Sequence, residues 1–147
     1  NELPSVAATR ALIEQRSAVR DKLRILGEIS NSDYADLIVG SSVVLNPSVY
    51  DNGSFSAMDG AYAGVSLVQS AQPANRYFDE IFEMNSLFFD PYDPAALAEA
   101  LKRAERGDSK PGAAAREKIE AADWRRVSEQ FWASMSRAIF DAAGVRK

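Results

Sequence analysis

The sequence predicts an α/β fold: a Rossmann-like parallel sheet with helices on both faces and a long C-terminal helix. Short apolar runs such as Ser42 to Leu45 and Val65 to Val68 alternate with segments whose apolar residues recur at helical spacing. The runs carry apolar residues at consecutive positions, as strands buried on both faces do. The connections are a few residues long, which suits strand-to-helix crossovers in a parallel sheet, with ligands expected at the strands' carboxyl ends.

A chain of 147 residues with 46% hydrophobic content can bury a real core, and residues 1–147 are read as a single domain. There is no Cys and no His. That removes thiolate and imidazole nucleophiles and Cys/His zinc sites, and leaves carboxylates, Lys or Tyr for proton transfer. A net charge of −4 argues against nucleic acid as a partner. No apolar run is long enough to span a bilayer, and the lack of cysteine suits a reducing, cytoplasmic compartment. The first residue is not Met, which reads as a fragment or a processed product.

In chain order, Ser5 to Val19 carries Val6, Ala7, Leu12 and Ile13 at helical spacing, with Pro4 suited to a first helical position. Leu23 to Gly27 reads as a strand ending in glycine, and Ser30 or Asn31 as the cap of a helix bearing Tyr34, Leu37 and Ile38 on one side. The strand Ser42 to Leu45 is stopped by Pro47, which removes a ladder donor. After Gly64 comes the strand Val65 to Val68, and Ser70 to Pro73 lies at its carboxyl end. Asn75 to Phe82 reads as a short helix whose Tyr77, Phe78, Ile81 and Phe82 enter the core. A final strand falls within Ser86 to Asp93. Asp93 and Pro94 start the next helix, Ala96, Leu97, Ala100 and Leu101 face the sheet, and Gly107 ends it. Ala113 to Ala121 is a further helix. Asp123 caps the long last one, Trp124 to Ala143, with a stripe of Trp124, Val127, Phe131, Met135 and Ile139. Trp132 and Phe140 fall outside that stripe.

The candidate site is the stretch Asn46 to Gly64, N-P-S-V-Y-D-N-G-S-F-S-A-M-D-G-A-Y-A-G. Asp51, Asn52, Gly53 and Ser54 are turn and cap residues, and Phe55, Met58 and Tyr62 then recur at helical spacing. The first free N–H groups of this helix, with its dipole, favour an anion, and Gly53 allows close approach to the backbone. With Phe55 at the middle of the buried stripe, Asp59 lies about 40° away at about 100° per residue, at the edge of the core-facing side. A carboxylate there needs hydrogen-bond donors, which ligand hydroxyls could supply. On local chemistry alone a plainer reading stands beside this one: Asp51 caps a turn, Asp59 bonds a neighbouring loop, and Gly53 closes a crossover.

Together, Asp51, Gly53, Ser54, Phe55, Asp59, Gly60 and Gly64 resemble the signature of the glycosyl transferase group 1 family, of the GT-B fold. That signature is a pair of glutamates with seven intervening residues and glycines around them. Here the spacing is kept and both acids are Asp, shorter by one methylene. The resemblance covers roughly Leu23 to Glu105 and implies the C-terminal, nucleotide-sugar-binding domain of such an enzyme, in partial form. It implies a nucleotide-diphosphate sugar as donor substrate, with no cofactor and no metal. It further implies that Asp51 lies beside the transferred sugar as the catalytic position, and that Asn52, Gly53, Ser54 and Phe55 surround the donor diphosphate. Asp59 would bond the ribose, and Gly27, Glu28 and Ile29 would lie by the base. The loop Ser70 to Pro73 would lie near the donor. Ile25 to Asn75 contains no Lys or Arg, so the diphosphate would be met there by backbone N–H groups and hydroxyls. The family's cationic residues come from earlier segments, so the amino-terminal domain and the first strand and helix of this one are expected to be missing. The chain alone is then expected to be inactive. Trp132 and Phe140 would face that missing domain or a second copy in a homodimer, and the absent domain leaves a peripheral membrane role open.

Two other classes compete. A different nucleotide-binding or response-regulator-like α/β module would use the same helix terminus for another anion, although no acidic cluster ends the first strand. A non-catalytic interaction domain would account for Asp at both signature positions.

Overall fold

The computed structural model describes residues 4–50, 54–123, 125, 128–129 and 132–137. It divides into two compact units, Asn1–Ala35 and Asp36–Lys147.

In the first unit, α1 (Pro4–Glu14) is followed by α2 (Ser17–Arg20). The helix expected over Ser5 to Val19 is therefore broken. The Arg16 N–H donates to the Ile13 carbonyl, three residues back, which tightens the last turn and ends α1. α1 has no buried residue, and Leu12 is exposed. Leu23 to Gly27 forms no strand, contrary to expectation. Leu23 and Leu26 are exposed, and Gly27 sits at φ +69°, a left-handed conformation that interrupts an extended run. An extended segment gains a strand's stability only from a ladder partner and a buried face. α3 (Asn31–Val39) starts where Ser30 accepts a hydrogen bond from Asp33 N–H at 3.1 Å, as a cap does.

The second unit holds β1 (Val43–Asn46), α4 (Phe55–Tyr62), β2 (Ser66–Ser70), α5 (Pro73–Phe82), β3 (Leu87–Phe89), α6 (Pro94–Glu105) and α7 (Ala113–Ala121). The strands form one parallel sheet in the order β1-β2-β3, with Val44 opposite Leu67 and Val68 opposite Leu87. All five residues of β2, the middle strand, are buried. Alternation of side chains makes two cores. On one face Val44 and Leu67 pack with Ala57 and Ala61 of α4, Phe82 of α5 and Ala115 of α7. On the other, Val68, Leu87 and Phe89 pack with Ala100 and Ala104 of α6, flanked by Ala96, Leu97 and Leu101. This is the predicted Rossmann-like sheet with helices on both faces.

α6 begins and ends as the sequence dictates. The Asp93 carboxylate accepts from the Ala95 and Ala96 N–H groups at 2.8 and 3.2 Å, Pro94 takes the first helical position, and Gly107 leaves at φ +87°. α5 departs from expectation in part. Phe78 and Phe82 stack with centroids 5.9 Å apart against the core, whereas Tyr77 and Ile81 are exposed. The last helix is described only in part, with residues 132–137 helical; Trp124, Val127, Phe131, Ile139 and Phe140 lie outside the described residues.

Ser109, in the turn between α6 and α7, is fully buried, and its hydroxyl accepts from the Leu67 N–H at 3.1 Å. β3 pairs with β2 only from Val68 onward, so Ser109 provides the acceptor that a longer β3 would have given. Ser109→Ala should cost about 1–3 kcal/mol, because it strands a buried backbone N–H. Urea unfolding would read this as a lower midpoint at unchanged slope.

Among the described residues, no helix is long and apolar enough to cross a membrane.

Candidate functional site

β1 and β2 run parallel and end at Asn46 and Ser70. Polar side chains take over there from the apolar runs that precede them. Asn46 is nearly buried, and its side-chain amide serves two partners in the connection to α4: Nδ2 donates to the Ser54 hydroxyl at 2.7 Å, and Oδ1 accepts from Ser48 N–H at 3.1 Å. Ser54 thereby occupies the N-cap position of α4 without capping it, since its hydroxyl turns to Asn46 and makes no bond to a helix N–H. The first N–H groups of α4 take no cap from the Ser54 side chain, and the start of a helix attracts negative charge.

β2 ends in a second polar cluster. The Ser70 hydroxyl donates to the Ser48 carbonyl. It accepts from Asn75 Nδ2 at 2.9 Å, and that same nitrogen donates to the Ser70 carbonyl at 3.1 Å. Ser70 and Asn75 are fully buried. The structure thus brings Asn46, Ser48, Ser54, Ser70 and Asn75 into one hydrogen-bonded group at the carboxyl end of the sheet. Ser54 and the loop beginning at Ser70 were among the candidates the sequence offered. Asn46 and Asn75 were not given roles, although an Asn closing the apolar run V-V-L-N is a visible signal. Nothing local marks Asn75.

The predicted site residues divide. Asp51, Asn52 and Gly53 lie outside the described residues. Ser54 is buried at the start of α4. Phe55, expected at the middle of the buried stripe, is 70% exposed, and Asp59 is exposed with it. The buried side of α4 is instead Ala57, Gly60 and Ala61. Small residues win because they let the helix backbone approach Val44 and Leu67 closely; a Cβ on Gly60 would stand 2.7 Å from Leu67 Cδ2. Tyr62 leaves the core as well. It lies 4.5 Å beneath the Arg116 guanidinium, whose pKa is raised by Glu120 first and then by the Tyr62 hydroxyl. Gly27, Glu28 and Ile29 belong to the first unit, where Gly27 has the positive φ and Ile29 is half-buried.

A three-stranded parallel sheet layered between helices, with polar groups gathered at the strands' carboxyl ends, is a Rossmann-like arrangement. One solved structure it is similar to is sucrose-phosphate synthase from Thermosynechococcus elongatus, with a TM-score of 0.72 and 24% sequence identity. The match covers 91% of this chain and 34% of that chain, so this chain spans about a third of its structural neighbour. No protein-family model and no curated protein matches the sequence.

Proposed function

We propose that this chain is the donor-binding part of a GT-B glycosyltransferase of the group 1 type, a partial C-terminal domain that holds a nucleotide-diphosphate sugar for transfer to an acceptor. The observation that carries the proposal is the start of α4, where the N-cap hydroxyl of Ser54 is tied to Asn46 at the end of β1 and makes no bond to a helix N–H. N–H groups and a helix dipole fixed at a strand's carboxyl end suit a diphosphate. The likeness in fold to sucrose-phosphate synthase supports the reading.

In this proposal the backbone of Gly53, Ser54 and Phe55 holds the diphosphate, with Asn52 in the same turn. Negative charge grows on the departing diphosphate as the glycosidic bond breaks, so fixed N–H donors stabilise the transition state more than the ground state. Asp59 on the exposed side of α4 bonds ribose hydroxyls, and Asp51 lies beside the sugar. The acceptor side of the cleft comes from an amino-terminal domain of the same cytoplasmic protein, and the chain alone does not turn over.

Amide NMR spectra of the chain recorded with UDP, GDP and ADP in turn, and with inorganic phosphate as control, test this. One nucleotide should shift Ser54 to Asp59 selectively, and its identity gives the donor class. No response at millimolar concentration, repeated on a longer chain that includes the preceding domain, would refute the proposal. In that longer protein Asp59→Ala should abolish donor binding, measured by calorimetry; an unchanged affinity would remove Asp59 from the site.

A further inference from the structure

Asn75 is in the first turn of α5 and is fully buried, yet its Oδ1 has no hydrogen-bond partner. Leaving a buried acceptor unpaired works against stability, so this position is not filled for the core's benefit. Its nitrogen is fully committed. Nδ2 lies 2.9 Å from the Ser70 Oγ and 3.1 Å from the Ser70 carbonyl. Exchanging the amide's N and O would place Oδ1 against that carbonyl, where both atoms are acceptors. The hydroxyl of Ser70 has one hydrogen, and it goes to the carbonyl of Ser48. The donor in each bond is thereby fixed: Asn75 gives to Ser70, and Ser70 gives to Ser48. Ser48 in turn donates its N–H to Asn46 Oδ1, whose Nδ2 reaches Ser54. The sequence separation between Asn75 and Ser48 is spanned by two hydrogen bonds.

We propose that Asn75 is a positioning residue for the connection between β1 and α4, acting through the Ser70 hydroxyl on the Ser48 carbonyl. The connection holds Ser48 from both sides, by Asn46 on the strand it leaves and by Ser70 on the neighbouring strand. Asn75 orients Ser70 because, without the Nδ2 donor, the hydroxyl is free to turn its hydrogen toward its own carbonyl or another acceptor. The functional consequence rests on the donor-site reading above: the chain runs from Ser48 directly into Asp51 and the diphosphate turn.

Asn75→Leu separates positioning from plain stability. It keeps the number of side-chain heavy atoms, removes the unpaired acceptor, and places a better helix former in α5. Native-state hydrogen exchange at the Ser48 amide should accelerate roughly tenfold while exchange in α6 stays as it was. Ser70→Ala should accelerate Ser48 to the same degree, and the double variant should add nothing further, because both act on one path. If Asn75→Leu fails to fold, Ser70→Ala still decides the matter through the Ser48 rate. An unchanged Ser48 rate in Ser70→Ala, or acceleration spread evenly over α6 and the sheet, would overturn the proposal. UDP, GDP and ADP titrations of the unsubstituted chain keep the two readings apart. Acceleration at Ser48 with no nucleotide bound there, in this chain and in the longer one, leaves Asn75 as a positioning residue and removes the donor site.

Discussion

Leu67→Ala is expected to lower the unfolding free energy by about 2–5 kcal/mol, a large share of the roughly 5–15 kcal/mol that holds a domain of this size folded. Leu67 is the largest fully buried side chain among the described residues. It stands on the central strand and packs in the core formed by α4, α5 and α7. Truncation removes its transfer free energy and leaves a cavity bounded by a sheet and helices that are held from their other sides, so collapse into the space is limited. Equilibrium unfolding in urea, followed by circular dichroism, measures the loss. A change under about 1 kcal/mol would mean that α4 and the sheet close over the gap.

Gly60→Ala is expected to destabilise by about 1–3 kcal/mol, although Ala is the better helix former by about 1 kcal/mol. The added Cβ would meet Leu67 Cδ2 at 2.7 Å, Val44 Cγ2 at 3.0 Å and Val44 Cβ at 3.2 Å. Leu67 could turn its end aside only within a filled core, and Val44 is stiff at χ1 and fixed to β1. Helix α4 would have to lift from the sheet, carrying Ser54 away from Asn46. Combining the two substitutions gives a sharper check. Once Leu67 is cut to Ala the closest clash is gone, so Gly60→Ala should cost much less in that background than alone. Additive losses would mean that Val44, not Leu67, sets the limit.

These two positions also mark where sequence reading stopped. The period of α4 was legible, but its inward side was assigned by hydrophobicity, which favoured Phe55, Met58 and Tyr62. The inward side is Ala57, Gly60 and Ala61 with Met58 packed beside them, because helix-to-sheet distance is set by the smallest side chains and leaves no room for a phenyl ring. The same limit applied to Leu23 to Gly27. Five residues of strand composition form no strand there, since a ladder needs a neighbour that composition cannot reveal.

What the sequence determined by itself was the order of elements from α3 to α7, the parallel α/β class and several boundaries. Asp93, Pro94 and Gly107 set the ends of α6 through bonds and dihedrals internal to a few residues. The start of α4 at Ser54 and the polar ends of the strands were readable for the same reason, since turns and caps are local chemistry. Tertiary structure alone decided that Ser54 bonds Asn46 in place of capping its helix, that Ser109 completes the pairing of β2, and that Asn75 reaches Ser48 through Ser70. Each of those is a hydrogen bond between segments remote in sequence, and the ångströms between them are fixed only when the sheet and its two helical layers have packed.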